Sequence, residues 1–186
     1  RQNDREWGRI MSMRHCRALV IAFCFCMPAI SSAEVIRFLY PSGALRSEYT
    51  LKEGKLEGIS KKYYEQGTLK AEEHYHNGKL DGPVKKFDEQ GNLKAELYYA
   101  AGKREGSAKI YYENGKVKGE FHFKDGKADG IAKVFSPNGT LLGHGMYANG
   151  IREGTTVLYS EYGKPQYIDI YKGGTRVSRK SATTVR

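Results

Sequence analysis

The residues of this chain that could do chemistry are few, and their spacing decides what they are for. Outside the first 33 positions the histidines are His74, His76, His122 and His144. His74 and His76 are two residues apart, which on a strand puts both on one face with about 7 Å between their Cα atoms. That separation suits two ligands of a metal ion, but no third ligand of matching character recurs nearby, so ordinary surface histidines are expected. His74 and His122 occupy one column two repeats apart, about 19 Å across four strand spacings, too far to share an ion. The carboxylates Glu57, Asp81, Glu105, Asp129 and Glu153 form another column, each just before a glycine. Paired acids do general acid–base work when something sets one pair apart. These recur in every unit, so turn chemistry is their expected role. All three cysteines, Cys16, Cys24 and Cys26, lie before residue 34, which removes disulfides and thiolate chemistry from the rest. No Gly-x-Ser-x-Gly nucleophile motif and no phosphate-cradling loop follows a strand. The expectation is a protein that is not an enzyme and that uses no cofactor and no metal.

The elements that carry these residues are set by glycine. Gly43, Gly67, Gly91, Gly115, Gly139 and Gly163 are 24 residues apart. Gly54, Gly78, Gly102, Gly126, Gly150 and Gly174 form a second column, and Gly58, Gly82, Gly106, Gly130 and Gly154 a third. A fixed period without insertions marks a repeat architecture. Residues 59–82, 83–106, 107–130 and 131–154 are complete units, 34–58 a degenerate first one, and 155–174 a weaker last one. Each unit reads as two strands joined by turns. Asn77-Gly78, Asp125-Gly126 and Asn149-Gly150 suit the tight primed turns of hairpins. No amphipathic helix fits between the glycines. The predicted fold is all-β: an elongated antiparallel β-meander of tandem 24-residue β-hairpin repeats, ten to twelve strands in one sheet.

Two aromatic columns run through the units, Tyr63, Phe87, Tyr111 and Phe135 in the first strands and Tyr75, Tyr99, Phe123 and Tyr147 in the second. They are the expected repeat core, and the candidate interaction surface. Register decides whether they share a face. In the last unit Pro165 replaces a leucine, and proline is tolerated at an edge, so the sheet is expected to end there. Residues 175–186 hold Arg176, Arg179, Lys180 and Arg186 and no acid, the composition of a basic tail.

The first 33 residues read differently. From Met13, basic residues lead into an apolar run from Ala18 to Met27 and then Ser31-Ser32-Ala33. This is the layout of a secretory signal peptide, with Met11 or Met13 as the start and residues 1–10 as untranslated or wrongly assigned leader. An exported chain beginning at residue 34 carries 26 basic and 19 acidic residues, a net charge of +7. That favours acidic partners in general terms. Aromatics with basic flanks also suit single-stranded nucleic acid, and export argues against it.

The unit Tyr111-Tyr112-Glu113-Asn114-Gly115-Lys116-Val117, continued by Phe123-Lys124-Asp125-Gly126-Lys127-Ala128-Asp129-Gly130, resembles the variant MORN repeat of bacterial proteins often called YwqK-family antitoxins. The likeness spans about residues 40–174. It implies open antiparallel sheets and roles in binding proteins or lipids, and the antitoxin name implies neutralising a toxin by direct contact. Three functions are therefore expected in turn: an exported scaffold binding another protein through its sheet face or edge, an antitoxin-like protein, or a binder of anionic lipid or glycan surfaces through its lysines.

Overall fold

The computed structural model describes residues 32–182. The signal-peptide expectation lies almost wholly outside them. Sixteen strands follow one another: β1 Glu34–Leu39, β2 Leu45–Lys52, β3 Lys55–Leu56, β4 Gly58–Tyr63, β5 Leu69–His76, β6 Lys79–Phe87, β7 Leu93–Ala100, β8 Lys103–Arg104, β9 Gly106–Tyr111, β10 Val117–Lys124, β11 Lys127–Ala128, β12 Gly130–Phe135, β13 Leu141–Ala148, β14 Ile151–Tyr159, β15 Pro165–Lys172 and β16 Thr175–Ser181. They form one antiparallel sheet in sequence order, with the two-residue strands β3, β8 and β11 beside the main path. The meander is as expected, and the larger strand number has two causes. A bulge at the third glycine column cuts some first strands into a short and a long piece. The C-terminal segment adds a strand of its own.

That strand corrects the expected basic tail. Thr175–Ser181 pairs with β15 from Tyr167↔Ser181 to Lys172↔Thr175. The reason is charge pairing. Asp169, only 1% exposed, accepts two bonds from Arg179 at 2.7 and 2.8 Å, and Arg176 lies 3.6 Å away. Pro165 opens β15 instead of closing the sheet, at the one strand position where a missing N–H costs least.

The three glycine columns do three different jobs. At the second column each glycine follows a residue that also has positive φ, as in Asn77 (+50°) and Gly78 (+79°), which is the two-residue primed hairpin. At the first column, Gly67 (φ +92°) donates to the Tyr64 carbonyl while Tyr64 donates back to the Thr68 carbonyl. This is a three-residue loop closed by a bulge. At the third column the register slips by two residues, from Glu73↔Val84 to Tyr75↔Leu80, around Gly82. Gly91, Gly115 and Gly139 repeat the first geometry, and Gly102, Gly126 and Gly150 the second.

The acid column caps the primed turns. Glu57 accepts from the Asn77 N–H at 2.9 Å, Glu105 from Asp125 at 2.9 Å, Asp129 from Asn149 at 3.1 Å, and Glu153 from Gly173 at 2.7 Å. Each turn is thereby tied to the end of the preceding unit. A tyrosine column ties one unit to the next. The hydroxyls of Tyr40, Tyr64 and Tyr112 donate to the carbonyls of Tyr63, Phe87 and Phe135.

All sixteen elements belong to this one sheet, and few side chains are sheltered. The buried apolar residues are Ala71, Val84 and Ala108. They share a face with buried Ser60, Glu73, Thr156 and Asp169. We call it the small-residue face. Ladder hydrogen bonds and cross-strand pairs, each worth roughly 0.2–1 kcal/mol, hold such a sheet, so stability is a sum over neighbouring units.

Candidate interaction surface

Strand alternation separates the two aromatic columns. Tyr75 lies with Ala71 and Glu73 on the small-residue face. Tyr63, Phe87, Tyr111 and Phe135 alternate with Lys61, Lys85, Lys109 and Lys133 on the other. Tyr111 confirms this placement, since its hydroxyl donates to Glu96 at 2.6 Å, and Glu96 pairs with Lys109. Tyr99, Phe123 and Tyr147 follow Tyr75. The eight aromatics therefore make two surfaces, not one core.

The second face carries a feature that the aromatic columns obscured. Following the register strand by strand gives Arg37, Glu48, Lys61, Glu72, Lys85, Glu96, Lys109, Glu120 and Lys133 in one unbroken row. Charge alternates at every strand. Glu120 sits 3.9 Å from both Lys109 and Lys133. We call this the ladder face. The signal was present in the sequence as bases at 61, 85, 109 and 133 and acids at 48, 72, 96 and 120, two interleaved sets with the same 24-residue period.

After Lys133 the row changes character. Its next members are His144, Val157 and Ile168. Beside them on the same face stand Ile131 and Met146, paired with each other and 51% and 45% exposed, and Ile170. Tyr159 closes one side, its ring 5.8 Å from that of His144. The alternating charges thus give way to a largely apolar patch on β12 to β15, bounded by Lys180 opposite Ile168 and by Glu153 opposite Met146. Contiguous exposed apolar surface of this kind marks contact sites.

The small-residue face has a basic region at the opposite end. Lys62, Lys70, Lys86 and Lys94 line one shallow depression with Tyr64, Ala71, Ala95 and Glu73. Glu73 binds Lys62 through both oxygens, at 2.9 and 2.8 Å, which leaves four cations around one carboxylate. Further along, arginines stack on the aromatics: Arg104 over Phe123, and Arg152 over Tyr147 and Tyr171 at 5.4 and 4.9 Å from the ring centroids.

The histidines go to separate partners. His74 Nδ1 donates to the Pro83 carbonyl at 2.9 Å, and His76 Nδ1 to Glu57 at 2.9 Å. His76 Nε2 accepts from Asn77.

Two phenols are electrostatically distinct. Burial, and then the hydrogen bond to Glu73, push Tyr75 up to about 12; burial and Glu96 do the same for Tyr111. A raised phenol pKa contributes stability that is complete below pH about 10 and lost as pH climbs towards 12. In an absorbance titration of the 14 tyrosines, two are expected to ionise late, near pH 12. Glu73→Gln and Glu96→Gln should each bring one of them partway back. A single transition centred near 10 would show that neither bond holds in solution.

A one-sheet tandem-repeat protein is the class that this architecture defines. The MORN repeat variant matches residues 56–77, 80–101, 104–125 and 128–149, so the chain carries four such repeats in tandem, one per complete hairpin unit. A solved structure, that of the "Glycosylation Associate Protein (Gap123) complex from Streptococcus agalactiae", is similar at 19% identity with a TM-score of 0.35. The alignment covers 56% of this chain and 19% of that one. Comparison with curated protein sequences gives no match.

Proposed function

We propose that the chain is an exported, non-enzymatic repeat scaffold that binds another protein through the apolar end of its ladder face. The observation that carries this reading is the break in the ladder at His144, Val157 and Ile168, beside exposed Ile131 and Met146. Everywhere else each unit supplies one base and one acid to the row.

The test is a photo-crosslinking residue placed at Met146 in the native host. A discrete protein adduct is expected. It should disappear when Ile131→Lys is added, because a buried unpaired lysine opposes the contact by about 2 kcal/mol or more, and persist when Lys85→Gln is added. An adduct that survives Ile131→Lys, or none at all, overturns the reading. An antitoxin-like role is the narrower version, in which the captured protein is a toxin. Co-expression with that protein should then restore growth.

The lysine-lined depression supports a second reading, recognition of anionic lipid headgroups or acidic glycans. Four lysines around Glu73 favour such a ligand, whereas the ladder-face lysines are matched by acids. Co-sedimentation with anionic liposomes should be strong at low salt and fall steeply as ionic strength rises. Absence of pelleting at low salt removes the lipid version.

A further inference from the structure

The outer edge of β1 differs from every other strand in the ladder. Lys61 lies between Glu48 and Glu72, Lys85 between Glu72 and Glu96, and Lys109 between Glu96 and Glu120. Among the described residues Arg37 faces Glu48 alone, 2.6 Å from its carboxylate, and its side chain is 62% exposed. Val35, Phe38 and Leu39 on the same strand are exposed too. Among the described residues β1 is a base-bearing strand with an acid-bearing strand on one side only.

The far edge makes a poor mate for it. The row ends on Lys180 of β16, opposite Ile168. Joining β16 of one copy to β1 of another would set Lys180 beside Arg37, and like charges directly opposite are destabilising. Head-to-tail growth of this chain is therefore disfavoured. The mate that fits is a strand with a carboxylate at the ladder position and small or apolar residues on either side of it.

We propose that the outer edge of β1, unpaired among the described residues, receives an extended acidic segment of another protein, which adds as an antiparallel strand with its carboxylate facing Arg37. Main-chain bonds supply the attachment and the carboxylate sets the register. The proposal rests on the reading of the chain as a protein-binding scaffold, and adds the place and the chemistry of contact.

The segment Leu93–Ala100 of β7 carries such a carboxylate, Glu96, between Ala95 and Leu97. Laid antiparallel along the outer side of β1 with Glu96 facing Arg37, Ala95 would face Phe38 and Leu97 would face Ile36. A capped, fluorescent peptide with the sequence Leu93–Ala100 is the probe, titrated into the full chain by anisotropy. Binding is expected, and a peptide carrying Glu96→Lys should bind about tenfold more weakly or worse. Arg37→Glu in the chain should reverse that preference. Arg37→Gln, which keeps β1 free of repulsion from Glu48, should erase it. Backbone amides of β1 should gain protection from exchange on binding. No binding of the parent peptide, or a preference unchanged by either Arg37 variant, overturns the proposal. If those results come with an intact cross-link from position 146, the edge is excluded and the scaffold reading stands. If the cross-link is also absent, both fall.

Discussion

Gly145→Ala is expected to destabilise the sheet by about 1–3 kcal/mol, the usual cost of overpacking. Gly145 sits on the small-residue face opposite Thr156. Its φ is not in the left-handed region, so the cost is steric. A Cβ built there would lie 2.5 Å from Thr156 Oγ1 and 3.4 Å from both Cβ and Cγ2 of the same residue. Two of the three χ1 rotamers of threonine put a hydroxyl or a methyl in that space, and β-branching restricts escape to the third. Thr156 is buried, and its hydroxyl has no hydrogen-bond partner among the described residues. Thr156→Ala alone should therefore be close to neutral, and the double variant should recover most of the loss. A shift of about 2–4 °C in the thermal midpoint per kcal/mol is the readout for a chain of this length. Additive effects of the two substitutions would mean that the residues do not meet as described.

Asp169→Ala is the second large effect, and it is local. Removing one partner of a buried charge pair costs about 3–5 kcal/mol when both groups are buried. Arg176 and Arg179 are 46% and 41% exposed, so water screens them and about 2 kcal/mol is expected. Hydrogen bonds from Arg179, reinforced by the charges of Arg179 and Arg176, hold the Asp169 carboxyl below the usual carboxylate range. A depressed folded-state pKa contributes stability that is present above pH about 4, the unfolded value, and is lost as pH falls through the folded one. The parent should accordingly lose protection of the β15–β16 amides in acid. Asp169→Ala should lose it at neutral pH and show little further acid dependence there, while the units from β4 to β10 keep theirs. Unchanged exchange in β16 of the variant would show that main-chain pairing alone holds that strand.

The sequence disclosed most of this fold because glycine positions are local requirements. Asn77-Gly78 needs two positive φ values whatever surrounds it, so period, turn and meander follow from spacing. Faces are another matter. The irregularities at Lys70 and around Gly82 each alter the pairing, and only the accumulated register shows that Tyr63 and Tyr75 lie on opposite sides. The ending was misread for a related reason. Arg176, Arg179 and Lys180 look like a solvated tail until Asp169, one strand earlier, is seen to hold two of them. The tyrosines at 40, 64 and 112 were legible as a column but not as donors, since their acceptors are main-chain carbonyls 23 residues on. The candidate surface was legible only by subtraction: Ile131, Met146, Val157 and Ile168 acquire meaning once the row they interrupt has been traced.

That row also bears on how such a chain can change length. Each unit contributes one strand of either sign, so copying 24 codons in frame inserts a neutral pair and restores the alternation on both sides of the insertion. The sheet lengthens by two strand spacings, about 10 Å, and both ends stay chemically as they were. Duplication within the gene can thus set the distance between the β1 edge and the apolar end in fixed steps, as a ruler is graduated, without redesigning either terminus.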